Sequence, residues 1–211
     1  MTISDAMRSL KTPLAALTIL LGVASVSTAG ATPVLGERSD GRADAPITVI
    51  AFHSMTCPAC AKFKRETWPE LKARYVDTGR IRVVWRGFPL DRVALQWAKL
   101  ARCVGEDRYS AYMQLVYQRQ PELLRGQDPV AGAARLGRLA GLSEADASEC
   151  LADKTVEDSV LNDALEGQRR NVRSTPTFVV GERIYPGELH MDAFERILDP
   201  LLRQSAPPAT R

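Results

Sequence analysis

The chain is poor in the residues that metal and polyanion chemistry require. Only two of its 211 residues are histidine, His53 and His190, and they stand too far apart to complete a recognised zinc-finger spacing. Charge of one sign is not in surplus, with 28 Lys and Arg against 25 Asp and Glu for a net charge of +3. No basic stripe interleaved with aromatics is present, which excludes nucleic acid as the expected partner. Internal repeats and low-complexity tracts are missing as well. Long apolar runs are confined to one, Leu14 to Val26 at the N-terminus, so the mature protein is expected to be soluble. At 45% hydrophobic residues, the chain can bury one core, or one core carrying an inserted subdomain.

What is there begins with a targeting pattern. Arg8 and Lys11 precede the apolar run and Ala29-Gly30-Ala31 follows it, the three parts of a secretory signal peptide over residues 1–31. The run is short for a bilayer span, which ranks an uncleaved anchor below a cleaved signal. Export, to the periplasm or another extracytoplasmic space, changes how cysteine is read, because thiols there persist as disulfides. Four cysteines suit two pairs. Cys57 and Cys60 have C-x-x-C spacing, while Cys103 and Cys150 stand far apart.

Downstream, residues 32–45 are rich in Gly, Pro and charge and read as a flexible leader. Ile47 to Phe52 is a continuous apolar and β-branched run, expected as a buried strand. Cys57 then opens a helix carrying Phe63, Trp68 and Leu71, which Pro69 should kink or interrupt. Ile81 to Trp85 is a second strand. From Asp91 to about Arg170 the period becomes helical, with Tyr109, Tyr112, Met113, Val116 and Tyr117 on one face. Ser143 with Asp146 and Thr155 with Asp158 resemble capping boxes. Thr177 to Val180 returns to strand, Gly181-Glu182 turns, and Arg183 to Tyr185 is a short partner strand. Met191, Phe194, Ile197, Leu198 and Leu201 mark a last helix, with a break expected at Pro200. The expected organisation is an α/β unit in two parts, 46–90 and 172–205, a helical insertion over 91–171, and a frayed tail at 206–211.

Thiol–disulfide exchange needs an accessible thiolate and a second thiol within reach. Two intervening residues at a helix start place the sulfurs one turn apart. The first sulfur lies at the helix N-terminus, where orphan N–H groups favour negative charge, so Cys57 is the expected exposed nucleophile. Pro58 suits the first helical position, and Pro58 and Ala59 form the active-site turn. Lys62, Lys64 and Arg65 add weak attraction for the thiolate. Half of a zinc site and an inert structural disulfide are the competing readings of a lone C-x-x-C. For Cys103 and Cys150 three readings stay open: a disulfide joining two helices, two buried free thiols, or a regulatory disulfide.

Phe52 to Cys60 (FHSMTCPAC) and Ser174 to Gly181 (STPTFVVG) resemble the DsbA-like members of the thioredoxin superfamily. The resemblance covers about Pro46 to Leu202 and implies a thioredoxin-like α/β fold with an inserted helical domain. It also implies that Pro176 is cis and faces the disulfide, and that Thr175 contacts the substrate backbone. Paired cysteines in the helical domain of many such proteins favour a structural Cys103–Cys150 disulfide. Two departures stand out. Ala51 occupies the strand position where many relatives carry an acidic residue that shuttles the resolving thiol's proton. Ala59 replaces a histidine frequent in strongly oxidising relatives, which implies a milder redox poise. His53 is a candidate to compensate, with a strand-end structural role as the alternative.

The expected activity is thus protein-disulfide oxidoreductase, with Cys57 and Cys60 catalytic, Thr175 and Pro176 binding substrate, and neither metal nor cofactor required. Expected partners are cysteine-containing client proteins and a membrane redox partner for recycling. Two rivals are a reductase or isomerase kept in the dithiol form and a soft-metal protein using the dithiol with Met55. The leader carries no heptads for the dimerisation an isomerase uses, so a monomer is expected.

Overall fold

The computed structural model describes residues 36–205. The expected signal segment with its expected cleavage near Ala31, and the tail 206–211, lie outside the described residues. The chain runs β1 (Arg38–Asp40), β2 (Ile47–His53), α1 (Pro58–Glu66), α2 (Trp68–Leu71), a π-helical turn over Lys72–Val76, and β3 (Ile81–Gly87). Five helices follow: α3 (Arg92–Cys103), α4 (Glu106–Arg125), α5 (Pro129–Leu139), α6 (Glu144–Ala152) and α7 (Lys154–Arg169). β4 (Thr177–Val180), β5 (Arg183–Pro186) and α8 (Met191–Ser205) complete it. This is a thioredoxin-like α/β fold with a helical insertion between β3 and β4.

The strands form one sheet in the order β1-β3-β2-β4-β5. β2 lies at the centre, parallel to β3 and antiparallel to β4. Burial on both faces explains its unbroken apolar run. Val49 and Ala51 face the larger core, where the Phe178 ring sits 4.8 Å from Phe63 of α1 and 5.1 Å from Phe194 of α8. Phe52 faces the other side with Val172 and Val179. There α7 approaches so closely that a Cβ on Gly167 would lie 2.9 Å from Phe88 and 3.0 Å from Phe52.

The insertion's helices are held by local chemistry. Asp91 caps α3 and Asp128 caps α5, each accepting from a first-turn N–H. Ser143 and Asp146 form a complete capping box on α6. Each cap contributes about 1 kcal/mol. The Tyr109–Tyr117 face of α4 is buried, and α4 packs against α1, so the insertion covers the helix that begins at the C-x-x-C motif. Among the described residues, no helix is long and apolar enough to cross a membrane.

Four local expectations meet different outcomes. Within the stretch read as leader, Arg38–Asp40 form β1, because β3 offers a free edge and Trp85 Nε1 donates to Asp40 at 2.6 Å. Helix α7 is capped by Asp153, not Thr155; the Asp153 carboxylate, a stronger acceptor than a hydroxyl, takes the N–H groups of Thr155 and Val156. The first helix is interrupted at Thr67, two residues before Pro69, since Pro69 has no N–H for the carbonyl one turn back. Pro200, by contrast, does not break α8. A helix-interior proline costs about 3 kcal/mol. Buried Phe194 and Leu198, with Leu202 packed on the same core, return about 1.5–3 kcal/mol each when fully buried.

Candidate active site

Cys57 is the N-cap of α1, with extended backbone (φ −73°, ψ 122°), and Pro58 supplies the first helical residue. Cys60 follows one turn on, facing the core. Both are thiols, and both are buried, at 8% and 1% exposure. The expectation of an exposed Cys57 sulfur is therefore corrected: the segment before β4 folds over it. The Cys57 sulfur lies 3.2 Å from the Thr175 carbonyl oxygen, a contact spanning 118 residues of sequence. Thr175–Pro176 is a cis peptide bond, so the structure brings Thr175 and Pro176 to the cysteine pair.

The two sulfurs differ sharply. Cys57 is pulled down to about 5, first by a hydrogen bond from the Cys60 thiol, then by Thr175 and the N–H groups of Cys60 and Ala59, against an opposing effect of burial. Cys60 is pushed far up, by burial first and then by its bond and charge interaction with Cys57. One proton is thus shared unequally, leaving a thiolate at the helix start above a protonated thiol. The N–H groups expected from sequence contribute, but the partner thiol contributes more.

The basic residues after the motif do other work. Lys62 pairs with Glu188 at 3.2 Å, and Arg65 points to the Tyr117 carbonyl at 3.5 Å. Lys64 turns into the core at 1% exposure, its Nζ 4.1 Å from the Trp68 ring centre and 4.3 Å from that of Trp85. Burial lowers its pKa to about 7. The expected attraction for the Cys57 thiolate is replaced by cation–π contact, because α1 turns its fourth position after Cys60 inward.

The loop between β2 and α1 is held by residues that no local signal marks. Gln120 Nε2, on α4, donates to the carbonyls of Met55 at 2.7 Å and Cys57 at 3.0 Å. Thr56 donates to Asp91 at 2.6 Å, tying the loop to the α3 cap. His53, 4% exposed, lies between two tyrosines, with Nδ1 2.9 Å from the Tyr117 hydroxyl and Nε2 3.1 Å from that of Tyr109. Burial, then the charges of Lys64 and Arg102, push its pKa down to about 3. The helical periodicity of α4 places Tyr109 and Tyr117 on its buried face, but only the fold puts them beside His53.

Cys103 and Cys150 are joined by a disulfide with Cα atoms 6.3 Å apart, linking the end of α3 to α6. Among the described residues, no group of three or more His, Cys, Asp or Glu is arranged to hold a metal ion. Met55 is buried at 1% exposure within the main core.

Comparison with known proteins gives the same picture. The thioredoxin family profile matches residues 34–200. A Rickettsia felis protein assigned as a protein-disulfide oxidoreductase is 27% identical over 81% of this chain and 60% of its own length. The chain spans about half to three-fifths of the length of such rickettsial relatives. Disulfide bond formation protein D of Bacillus subtilis is 23% identical, over 82% of this chain and 81% of that protein. Among solved structures, alpha-DsbA1 of Wolbachia pipientis superposes with a TM-score of 0.74 at 25% identity, covering 82% of this chain and 94% of the other. Oxidised BdbD of Bacillus subtilis shares the fold with a TM-score of 0.73 at 20% identity, over 82% and 97% of the two chains. The chain belongs to the thioredoxin family, as a DsbA-like member.

Proposed function

We propose that this protein is an exported thiol–disulfide oxidoreductase that donates the Cys57–Cys60 disulfide to cysteine-containing client proteins. The observation that carries the reading is the asymmetry of the sulfurs, with Cys57 near 5 and Cys60 raised. A thiolate stable at the pH of the compartment favours the reduced form, which makes the disulfide a stronger oxidant. A client thiolate attacks the Cys57 sulfur, the Cys57–Cys60 bond breaks, and its electron pair goes to Cys60. A second client thiol then attacks the mixed disulfide at the client sulfur and expels Cys57 as thiolate. The client leaves oxidised by two electrons and the enzyme reduced. Thr175 and Pro176, beside Cys57, hold the client backbone during both steps. The N-terminal signal pattern supports action outside the cytoplasm, as a monomer recycled by a membrane redox partner.

The test is the equilibrium reduction potential of the Cys57–Cys60 pair, read by alkylation and mass after incubation in defined glutathione buffers. A value well above the glutathione couple sustains the oxidase reading. A value near about −270 mV, as in thioredoxin, overturns it in favour of a reductase or isomerase.

A further inference from the structure

Ser54 to Cys57 carry the chain from β2 into α1, and the Cys57 N–H closes them into a turn on the Ser54 carbonyl at 3.1 Å. Every residue of this turn is also held by a side chain from beyond β3. The Tyr117 hydroxyl of α4 donates to the Ser54 carbonyl at 3.2 Å. Gln120, three residues on, donates from Nε2 to the carbonyls of Met55 at 2.7 Å and Cys57 at 3.0 Å. Thr56 donates to Asp91 Oδ2 at 2.6 Å, while Asp91 Oδ1 caps α3. Gln120 is 3% exposed, and an amide nitrogen carries two hydrogens, so both are committed to the turn. Next to it, Pro121 lacks the N–H that the Tyr117 carbonyl would otherwise accept. Arg65 of α1 approaches that carbonyl at 3.5 Å, which braces this part of α4 against the helix it serves.

These ties matter unequally to the two redox states. In the oxidised protein the Cys57–Cys60 bond itself fixes Cys57 at the start of α1. Reduction breaks that bond and leaves the Cys57 main chain to its neighbours. The sulfur keeps the N–H groups of the first helical turn only while its backbone stays in the extended N-cap conformation, φ −73° and ψ 122°. The Cys57 carbonyl accepts from Ala61 within the helix at 3.1 Å, and Gln120 binds the same oxygen from outside it. A contact that the reduced form needs and the oxidised form can spare makes the disulfide a stronger oxidant, because the reduced form is the one stabilised.

We propose that Gln120 is a positioning residue for Cys57, holding the reduced sulfur at the start of α1 from the helical insertion, with the Thr56–Asp91 bond as a second tie. The inference rests on the oxidoreductase reading. Gln120 acts through the Cys57 backbone, not on the reacting sulfur. The insertion thereby has a redox task besides covering α1.

The experiment equilibrates the full chain, as wild type, Gln120→Met and Thr56→Val, in graded glutathione and dithiothreitol buffers and reads the Cys57–Cys60 pair by alkylation and mass. Gln120→Met keeps the length of the side chain and loses both donors. Its equilibrium is expected to shift about 10-fold toward the disulfide, about 30 mV lower for a two-electron couple, and its Cys57 alkylation midpoint should rise. Thr56→Val, a near-isosteric change at a solvent-exposed bond, should shift the equilibrium the same way by about 3-fold. Tyr112→Phe is the control. It removes another buried hydrogen bond of α4, from the hydroxyl to the Ala133 carbonyl at 3.0 Å, and destabilises both redox forms without moving the equilibrium. A merely structural Gln120 behaves as that control does, so a Gln120→Met equilibrium within twofold of wild type overturns the inference. Should Gln120→Met not fold, Thr56→Val decides: a shift toward the disulfide sustains the tie, and an unmoved equilibrium overturns it. A wild-type potential near that of thioredoxin overturns the oxidase direction alone, because the shift between proteins is read in the same buffers. A wild-type pair that neither reductant opens overturns the oxidoreductase reading, and the inference with it.

Discussion

Replacing Cys60 with alanine removes the strongest influence that lowers the Cys57 pKa, so the Cys57 titration should move up toward that of an ordinary thiol. Alkylation of reduced protein with iodoacetamide across pH 4–10 reads this directly. The wild-type midpoint is expected at about 5, against about 8.5 for a free cysteine. At pH 7 Cys57 is then about 99% thiolate, compared with about 3% for a free cysteine, a gain of about 30-fold. Nucleophilicity falls with pKa along a slope of about 0.4–0.5. The drop from about 8.5 to about 5 therefore costs about 30-fold in intrinsic reactivity, and the two effects nearly cancel. The rate at pH 7 is a poor test, and the midpoint is the sound one. What the low pKa does improve is Cys57 as a leaving group, the role that disulfide donation requires of it.

Linkage extends this to stability. Because the folded Cys57 pKa is depressed, its ionised form stabilises the reduced protein fully above the unfolded value of 9.0, and that contribution fades as pH falls toward about 5. Cys60 has the opposite sign: its raised pKa leaves its contribution intact below 9.0 and removes it above. The stability of the reduced protein, measured relative to the oxidised form in which neither sulfur titrates, should peak near pH 9. Between pH 9 and 5 it should fall by up to about 5 kcal/mol, from 1.36 kcal/mol per pH unit. Urea unfolding of both forms measures the difference. A wild-type alkylation midpoint at 8 or above, or a midpoint unmoved in Cys60→Ala, would refute the reasoning.

Three further outcomes are expected. Changing Cys103 and Cys150 together to alanine should cost about 2–4 kcal/mol, the usual scale for a disulfide closing a loop of this length, seen as a lower urea midpoint with Cys57 alkylation unaltered. Lys64→Met should stabilise the protein by roughly 1–4 kcal/mol below pH 7, since an apolar side chain replaces a buried charge. Lys64 has a depressed folded pKa of about 7, so its penalty is full below that value and is relieved as pH rises; a gain that does not shrink between pH 6 and 9 would count against this. Gln120→Leu leaves the Met55 and Cys57 carbonyls without their donor, at about 1–3 kcal/mol for each buried orphan, which thermal unfolding would register.

Much of the fold was legible because local physics wrote it. The apolar run of β2 matches a strand buried on both faces, and the Ser143 and Asp146 pair closes its capping box within one turn. The misjudged positions were those where a second element supplied the deciding contact. Arg38–Asp40 became strand because β3 had an edge to pair, and α8 passed through Pro200 because its apolar face was anchored on the core. Asp153 displaced Thr155 as a cap by being the better acceptor, two residues earlier.

The same division runs through the site. The amino-acid sequence alone determined the C-x-x-C pair, the helix that begins there with Pro58, and therefore which sulfur meets the free N–H groups. These are contacts within four residues, and chain connectivity enforces them in any fold that keeps the helix. The tertiary structure decided how far the two sulfurs differ, by burying Cys60 and laying Thr175 against Cys57 across 118 residues. It turned Lys64 inward, joined Cys103 to Cys150, and set His53 between two tyrosines of α4. Such contacts close long loops whose entropy only a packed core can offset, so no short stretch of residues encodes them.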